Sequence, residues 1–328
     1  MNSTVFLMIA SFLISFCTVL FLRVFLKRQL LDIPNERSSH TDPTPRGGGI
    51  GFIFAIIGVS LFFSSGWSSS LTTPGYLFLF ALIPLALVGL IDDFSAVSPK
   101  FKFSFQCLAG LLVLVLLPEI NPLNAPILVY LPFALLFFLT MANFYNFMDG
   151  IDGLVAGCAL VQLIYLGFVF SSPLAWCFAA GVLGFLIWNW HPARIFMGDS
   201  GSNFLGGFVG ICILTAPTFS EAFAASLVTA PLTLDALYTL IRRFLHGEKV
   251  TEAHRSHIYQ RLNQSGFSHG TVSGIYIGVS VLIAAWLLLA NGSTLASLGA
   301  LAGLSLLIPF AEFVVLRRES LSLSSTGD

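Results

Sequence analysis

The side chains best spaced for chemistry are the aspartates Asp92, Asp93, Asp149, Asp152, Asp199 and Asp235. Asp92 and Asp93 are adjacent in LIDDFSAVSPKFK, Asp149 and Asp152 stand in NFYNFMDGIDG, and Asp199 stands in RIFMGDSGS. A single aspartate beside an apolar run is most simply a helix cap or a solvated charge. Two adjacent carboxylates repel each other, and become favourable when a cation sits between them. Asp149 and Asp152 share a face if their segment is helical, and Gly150 and Gly153 let backbone approach a ligand closely. Carboxylates spread over several loops, with no Cys or His cluster of zinc spacing, suit a hard cation. Mg2+, with Mn2+ as an alternative, binds through one or two carboxylates plus substrate phosphates.

Basic residues lie near these acids. Lys100 and Lys102 follow the Asp pair, Arg194 precedes Asp199, and Arg46 precedes Gly47, Gly48 and Gly49. The segment TEAHRSHIYQRL carries His254, Arg255, His257 and Arg261. Anchoring of loops explains Arg242, Arg243, Arg317 and Arg318. It does not explain two histidines three apart, which add little charge near neutral pH. Glycine-rich backbone beside Arg46 reads as a phosphate cradle, a weak pattern on its own.

What must position these groups is a membrane. The chain is 56% hydrophobic and 9% charged, where a soluble domain carries about 25% charged residues. Apolar runs at 5–26, 49–65, 74–91, 103–117, 127–142, 154–170, 174–190, 204–216, 222–241, 271–290 and 295–316 predict about eleven spans. Helices are expected because lipid cannot satisfy backbone polar groups and these runs do not alternate as barrel strands do. The fold class expected is all-α, a polytopic helical bundle forming one catalytic unit over 1–328. The first run has no basic residue before it and no small-residue cleavage site, so it reads as a retained helix. Threaded through these spans, all 15 Lys and Arg fall on one side, which is the cytoplasm. The N-terminus is then periplasmic and the C-terminus cytoplasmic. The polar segments 27–48, 92–102, 143–153, 191–203 and 242–270 are expected as the active-site loops on the cytoplasmic face. Cys17, Cys107, Cys158, Cys177 and Cys212 lie in apolar runs without a CxxC pair, so neither zinc nor a disulfide framework is expected.

Residue chemistry therefore points to a metal-dependent reaction, at the inner face of the membrane, between a phosphorylated polar substrate and a lipid. At these loops the chain resembles the polyprenyl-phosphate N-acetylhexosamine-1-phosphate transferases. The likeness rests on SSHTDPTPRGGG, the Asp pair with its following lysine and Gln106, NFMDGIDGL, RIFMGDSGS and HRSHIYQRL, in that order along the whole chain. The resemblance implies attack by undecaprenyl phosphate on the β-phosphorus of a UDP-N-acetyl sugar, releasing UMP, with Mg2+ on the diphosphate. It implies Asp199, Asp93 and Asp149 as metal ligands, and Asp92, Asp93 and His257 as catalytic groups, Asp92 in the place of a base. Lys100, Asn146, Asp149, Asp152, Phe196, His254 and Arg255 fall at substrate-binding positions. Arg46 and Arg194 join the substrate-binding set from their own placement. A homodimer is a further implication of the resemblance, and no nucleic-acid partner is expected.

The last loop departs from two branches of that family. The peptidoglycan branch carries three consecutive histidines and the enterobacterial-antigen branch a His-Ile-His-His run, where this chain has HRSHIY. The form is more similar to O-antigen-initiating members, whose donors carry N-acetyl-fucosamine, N-acetyl-quinovosamine or N-acetylglucosamine. A transporter of a phosphorylated solute is the main rival, but transporters place charges near the midplane, and here only Asp235 is deep. A scaffold without catalysis is the second rival, and it predicts that Asp→Asn changes at 92, 149 or 199 are silent. Asp235 reads equally as a functional group or as a partner of Arg242 or Arg243.

Overall fold

The structure is a computed structural model that describes residues 2–26, 30–34, 42–62, 77–117, 121–249, 252 and 254–325. Lys27, Arg28 and Arg37, the SSHT of the first motif, and residues 63–76 lie outside the described residues.

Thirteen helices and one two-stranded ribbon make up the described chain. The helices are α1 (Asn2–Leu26), α2 (Ile50–Phe62), α3 (Leu77–Ala81), α4 (Ile83–Phe94), α5 (Pro99–Leu116), α6 (Ile127–Met148), α7 (Leu154–Val169), α8 (Pro173–Asn189), α9 (Gly198–Leu214), α10 (Phe219–Leu245), α11 (Ile258–Gln264), α12 (His269–Leu289) and α13 (Thr294–Ser325). Strand β1 (Leu31–Asp32) pairs antiparallel with β2 (Thr44–Pro45).

Among the described residues, α1, α5, α6, α10, α12 and α13 are long and apolar enough to cross a membrane, and α2, α7 and α8 are shorter apolar helices. Their outer faces carry bare hydrocarbon, with Leu128, Leu289 and Leu295 exposed to 84%, 85% and 81%. Only lipid makes such a surface stable, so the chain is a polytopic helical membrane protein.

The helix ends differ from the apolar runs in ways that matter for the site. α5 starts at Pro99, ahead of its apolar run, because Ser98 Oγ accepts the Phe101 N–H at 3.3 Å and proline suits a first helical turn. α6 continues to Met148 and carries Asn143 and Asn146 on a helix. α9 starts at Gly198, so Asp199 lies in its first turn. The run at 74–91 is broken between α3 and α4, where Pro84 cannot donate an N–H.

α9 runs through the interior against α4 and α6, and α8 packs against α1, α2 and α7. Phe178 of α8 meets the rings of Phe52, Phe204 and Phe208 edge-on. Gly49 has its Cα against Gly201, where a Cβ on either would overlap the other helix. On the far side, α10, α12 and α13 enclose an apolar cavity of about 320 Å³, lined in part by Leu234, Phe267, Leu304 and Leu307 and bordered by Asp235.

Candidate active site

The C-terminal ends of α4 and α6 and the N-terminal end of α9 meet at one point. Asp93, on the last turn of α4, is 1% exposed. Its Oδ1 accepts the Asp199 N–H at 3.0 Å, and its Oδ2 accepts the Ser200 hydroxyl at 3.2 Å. The first turn of α9 has amides with no partner inside the helix, and Met197 gives no side-chain cap. Asp93 supplies that cap from another helix. Gly198 makes the approach feasible: it has φ +80, and a Cβ there would lie 2.6 Å from Asp93 Oδ2. Arg46 reaches the same turn, donating from Nη2 to the Asp93 carbonyl at 2.6 Å. Its Nε is buried with no hydrogen-bond partner among the described residues.

Lys102 bridges Asp92 and Asp199. Its Nζ donates to Asp92 Oδ2 at 2.9 Å and also to Asp199 Oδ2. Asp92 Oδ1 accepts the Val97 N–H at 2.8 Å. The lysine within the carboxylate cluster is therefore Lys102, where the sequence reading favoured Lys100. With α5 starting at Pro99, the two lysines point about 200° apart. Lys102 shares the inward face with buried Gln106, one turn on, while Lys100 is exposed. Gln106 Nε2 donates to Asn203 Oδ1 at 3.0 Å and to Asn143 Oδ1 at 3.2 Å, and Asn203 Nδ2 donates to the Asp199 carbonyl at 2.8 Å. Asn146 Nδ2 donates to Ser202 Oγ at 3.0 Å. This amide layer braces α9 from beneath. Asn143 and Asn203 were not singled out from the sequence, although both lie one turn from a chemistry-bearing residue.

The carboxylates are close enough to oppose each other's ionisation. Burial, then the charge of Asp199, pushes Asp93 up to about 6. Asp149, at the end of α6, is raised well above the usual carboxylate range by burial, then by the charges of Asp199, Asp93 and Asp152. Asp92 goes the other way: burial would raise it, but the Lys102 and Val97 hydrogen bonds outweigh that and lower it. The charges of Asp93, Asp149 and Asp199 thus act on one another, although among the described residues their oxygens do not gather as closely as the Asp152, His191 and His269 ligand atoms do; they offer oxygen donors only. That donor set fits a hard divalent cation.

Asp152 is turned elsewhere. Its Oδ2 lies 2.8 Å from His191 Nδ1 and accepts the Ala193 N–H at 3.1 Å, while Oδ1 lies 3.2 Å from His269 Nδ1. Burial would raise its ionisation, but the His269 and His191 contacts lower it. The ligating atoms of Asp152, His191 and His269 all lie within 4.8 Å of one another. This nitrogen-rich set would suit zinc better than Mg2+, and the two rings already satisfy the carboxylate. The sequence reading placed Asp152 on the substrate; its observed contacts instead tie the 149–153 loop to the α8–α9 connection and to α12.

The glycine triplet also serves packing. Gly48 and Gly49 donate their N–H groups to the carbonyls of Phe196 and Met197, both at 2.9 Å, and Phe196 donates to Pro45 at 2.8 Å. The amides expected to cradle phosphate are spent on the segment that leads into α9. Arg194 lies over the Trp188 ring at 5.8 Å.

The α10–α12 connection supplies the histidines. His257 is 3% exposed, with its ring 4.9 Å from His254 and 6.5 Å from Phe147. His254 Nδ1 lies 3.0 Å from Ser256 Oγ. Burial, then the charges of His257 and Arg243, depresses His254 to about 4. Arg255 follows on the same strand of chain, and its carbonyl accepts from Gln264 at 3.0 Å. The Tyr259 hydroxyl donates to the Phe147 carbonyl at 3.1 Å, which docks this connection on the end of α6 beside Asn146 and Asp149.

Comparison with known proteins shows the family. The sequence pattern described as "Glycosyl transferase family 4" matches residues 76–216, a stretch that holds every site aspartate and stops short of the histidines. A decaprenyl-phosphate N-acetylglucosaminephosphotransferase of Mycobacterium tuberculosis is 31% identical over 84% of this chain and 81% of its own length. An undecaprenyl-phosphate alpha-N-acetylglucosaminyl 1-phosphate transferase of Thermotoga maritima is 28% identical over 76% of this chain and 79% of its own. A phospho-N-acetylmuramoyl-pentapeptide-transferase of Deinococcus radiodurans is 34% identical over 50% of this chain and 59% of its own. With its carboxylates gathered at one end of a membrane bundle and relatives of this kind, the chain belongs to glycosyl transferase family 4, among the polyprenyl-phosphate N-acetylhexosamine-1-phosphate transferases.

Proposed function

We propose that this protein transfers N-acetylhexosamine 1-phosphate from a UDP-linked donor to undecaprenyl phosphate at the cytoplasmic face of the inner membrane. The observation that carries the reading is the meeting of Asp92, Asp93 and Asp199 around Lys102 at one end of a lipid-facing bundle, with Asp149 close enough to feel the charges of Asp93 and Asp199. The eleven-span threading, with the N-terminus periplasmic, gives that end to the cytoplasm, where UDP-sugars are made.

In this reading, an oxygen of the lipid phosphate attacks the β-phosphorus of the donor. The new P–O bond joins lipid phosphate to sugar phosphate, the bond to the α-phosphate breaks, and UMP leaves with both electrons. Asp199, Asp93 and Asp149 would hold Mg2+, or Mn2+. Bound there, the ion supplies charge neutralisation for the diphosphate. Lys102 supplies a fixed positive charge from the protein, and Arg46 Nε a buried donor. A phosphate monoester is largely ionised near neutral pH, so little proton abstraction is needed. Asp92, lowered and held by two donors, suits holding Lys102 better than taking a proton, because a base works best with an ionisation near the working pH. His257, with His254 and Arg255, would approach the donor from the α10–α12 connection, and Phe196 and Asn146 are assigned to the donor as well. The HRSHIY form of that connection favours donors of the N-acetyl-fucosamine, N-acetyl-quinovosamine or N-acetylglucosamine kind and a role in O-antigen initiation.

The test is purified protein with undecaprenyl phosphate, Mg2+ and a panel of UDP-N-acetyl sugars, reading UMP. Release that requires the lipid phosphate and favours one sugar supports the reading. Absence of UMP with every donor, together with uptake of intact nucleotide-sugar into proteoliposomes, would overturn it in favour of transport.

A further inference from the structure

Asp235 lies inside α10 and is 3% exposed. A buried carboxylate in a span is costly unless its lone pairs are filled. Here both oxygens are used. Oδ1 accepts the Ile258 N–H at 2.9 Å and the Thr239 hydroxyl at 3.1 Å. Oδ2 accepts the Tyr259 N–H at 3.0 Å and the Tyr276 hydroxyl at 2.7 Å. His257 Nδ1 stands 3.4 Å from Oδ1, an ion-pair distance longer than these hydrogen bonds. Arg242 and Arg243, the partners expected from sequence, are engaged elsewhere. Arg242 donates to the Ser256 carbonyl at 2.6 Å, and Arg243 to Glu248 at 2.7 Å.

One carboxylate thus gathers two amides of the histidine connection, a tyrosine from α12 and the inner edge of the His257 ring. An amide side chain in its place could accept these amides but would face at least one donor with its own NH2 group. The carboxylate lies beside His257 Nδ1, a buried atom with no hydrogen-bond partner among the described residues, which leaves Nε2 on the opposite edge of the ring. Tyr259, whose amide Asp235 holds, reaches the Phe147 carbonyl on α6. The line from Asp235 to the end of α6 therefore runs through this connection.

We propose that Asp235 is a positioning residue for transfer, fixing the start of α11 and orienting the His257 ring so that Nε2 faces the donor diphosphate. This rests on His257 acting on the donor, as in the function proposed above. The test is a double-mutant cycle with Asp235→Asn, His257→Gln and the pair, reading kcat and KM for the donor, with amide hydrogen exchange over 257–264.

The expected result is a kcat loss of about 10–100-fold for Asp235→Asn with KM for the donor little changed. The pair should be no slower than His257→Gln alone, and exchange should rise at Ile258 and Tyr259. Full kcat in Asp235→Asn, or losses that multiply in the pair, would overturn the proposal. Should Asp235→Asn fail to accumulate, Asp235→Glu keeps the charge, moves the oxygens, and enters the same cycle, where the same outcomes support or overturn the role. A wild-type protein that releases no UMP with any donor would instead overturn the proposed function, and unchanged exchange in the variant would then also remove the positioning role.

Discussion

Asp93 Oδ1 accepts the backbone N–H of Asp199 at 3.0 Å, so the two carboxylates proposed to share a cation are locked together by the protein itself. The distance between α4 and the first turn of α9 is fixed before any substrate arrives. Preorganisation of this kind lets charged groups act without rearranging during reaction.

The crowding of Asp93 has a sign. Its folded ionisation near 6 lies above the unfolded value near 4, so protonation favours the folded state. The cost of ionising it is absent below pH about 4 and reaches on the order of 3 kcal/mol above pH about 6. A divalent cation relieves that cost. Added Mg2+ should therefore raise the melting temperature in detergent more at pH 8 than at pH 5. Equal shifts at the two pH values would count against Asp93 as a ligand.

Lys102 and Lys100 should separate cleanly. Lys102→Ala leaves Asp92 and Asp199 facing each other without their bridge, and kcat should fall by about 100-fold or more. Lys100→Ala, on the exposed face, should stay within about threefold, since surface charges are screened. Comparable losses from both would place the substrate on the other side of α5.

Asp149→Asn and Asp199→Asn keep shape and remove charge, and transfer should become nearly undetectable while protein yield is kept. Removing the charge of Asp149 also removes repulsion in the cluster, so the apo protein should melt at the same temperature or higher. Activity of either variant near the wild-type rate would leave a scaffold role standing.

Asp152→Asn is expected to behave differently. Its oxygens hold His191, His269 and the Ala193 amide, and breaking such buried contacts costs about 1–3 kcal/mol. Melting should drop, with KM for the donor rising more than kcat falls. A variant with wild-type stability and lost kcat would return Asp152 to direct contact with substrate.

Much of this was legible from the amino acids. Low charge and long apolar runs establish a lipid-facing helical protein, and the acids at run ends mark where helices emerge. The remainder depended on helix boundaries. Ser98 and Pro99 start α5 early, and that shift alone exchanges Lys100 for Lys102 inside the cluster. The glycines beside Arg46 looked like a phosphate cradle because sequence does not reveal where an amide's partner is; their partners are the carbonyls of Phe196 and Met197. Asp235 reads ambiguously because its ligands, two amides in a later connection, have no side-chain identity to detect.

The contact of Gly49 with Gly201 also bears on how a long lipid gets in. Gly89 meets Ser200 in the same bare fashion, so α4 and the turn that leads into α2 touch α9 without an intervening side chain. Main chain against main chain has no rotamers to repack and no slack to take up. These three helices behave as a keel. If the tail of the proposed acceptor enters between helices, the flank with rotamers to spare is the one where α10, α12 and α13 stand around a cavity of about 320 Å³ lined by hydrocarbon side chains.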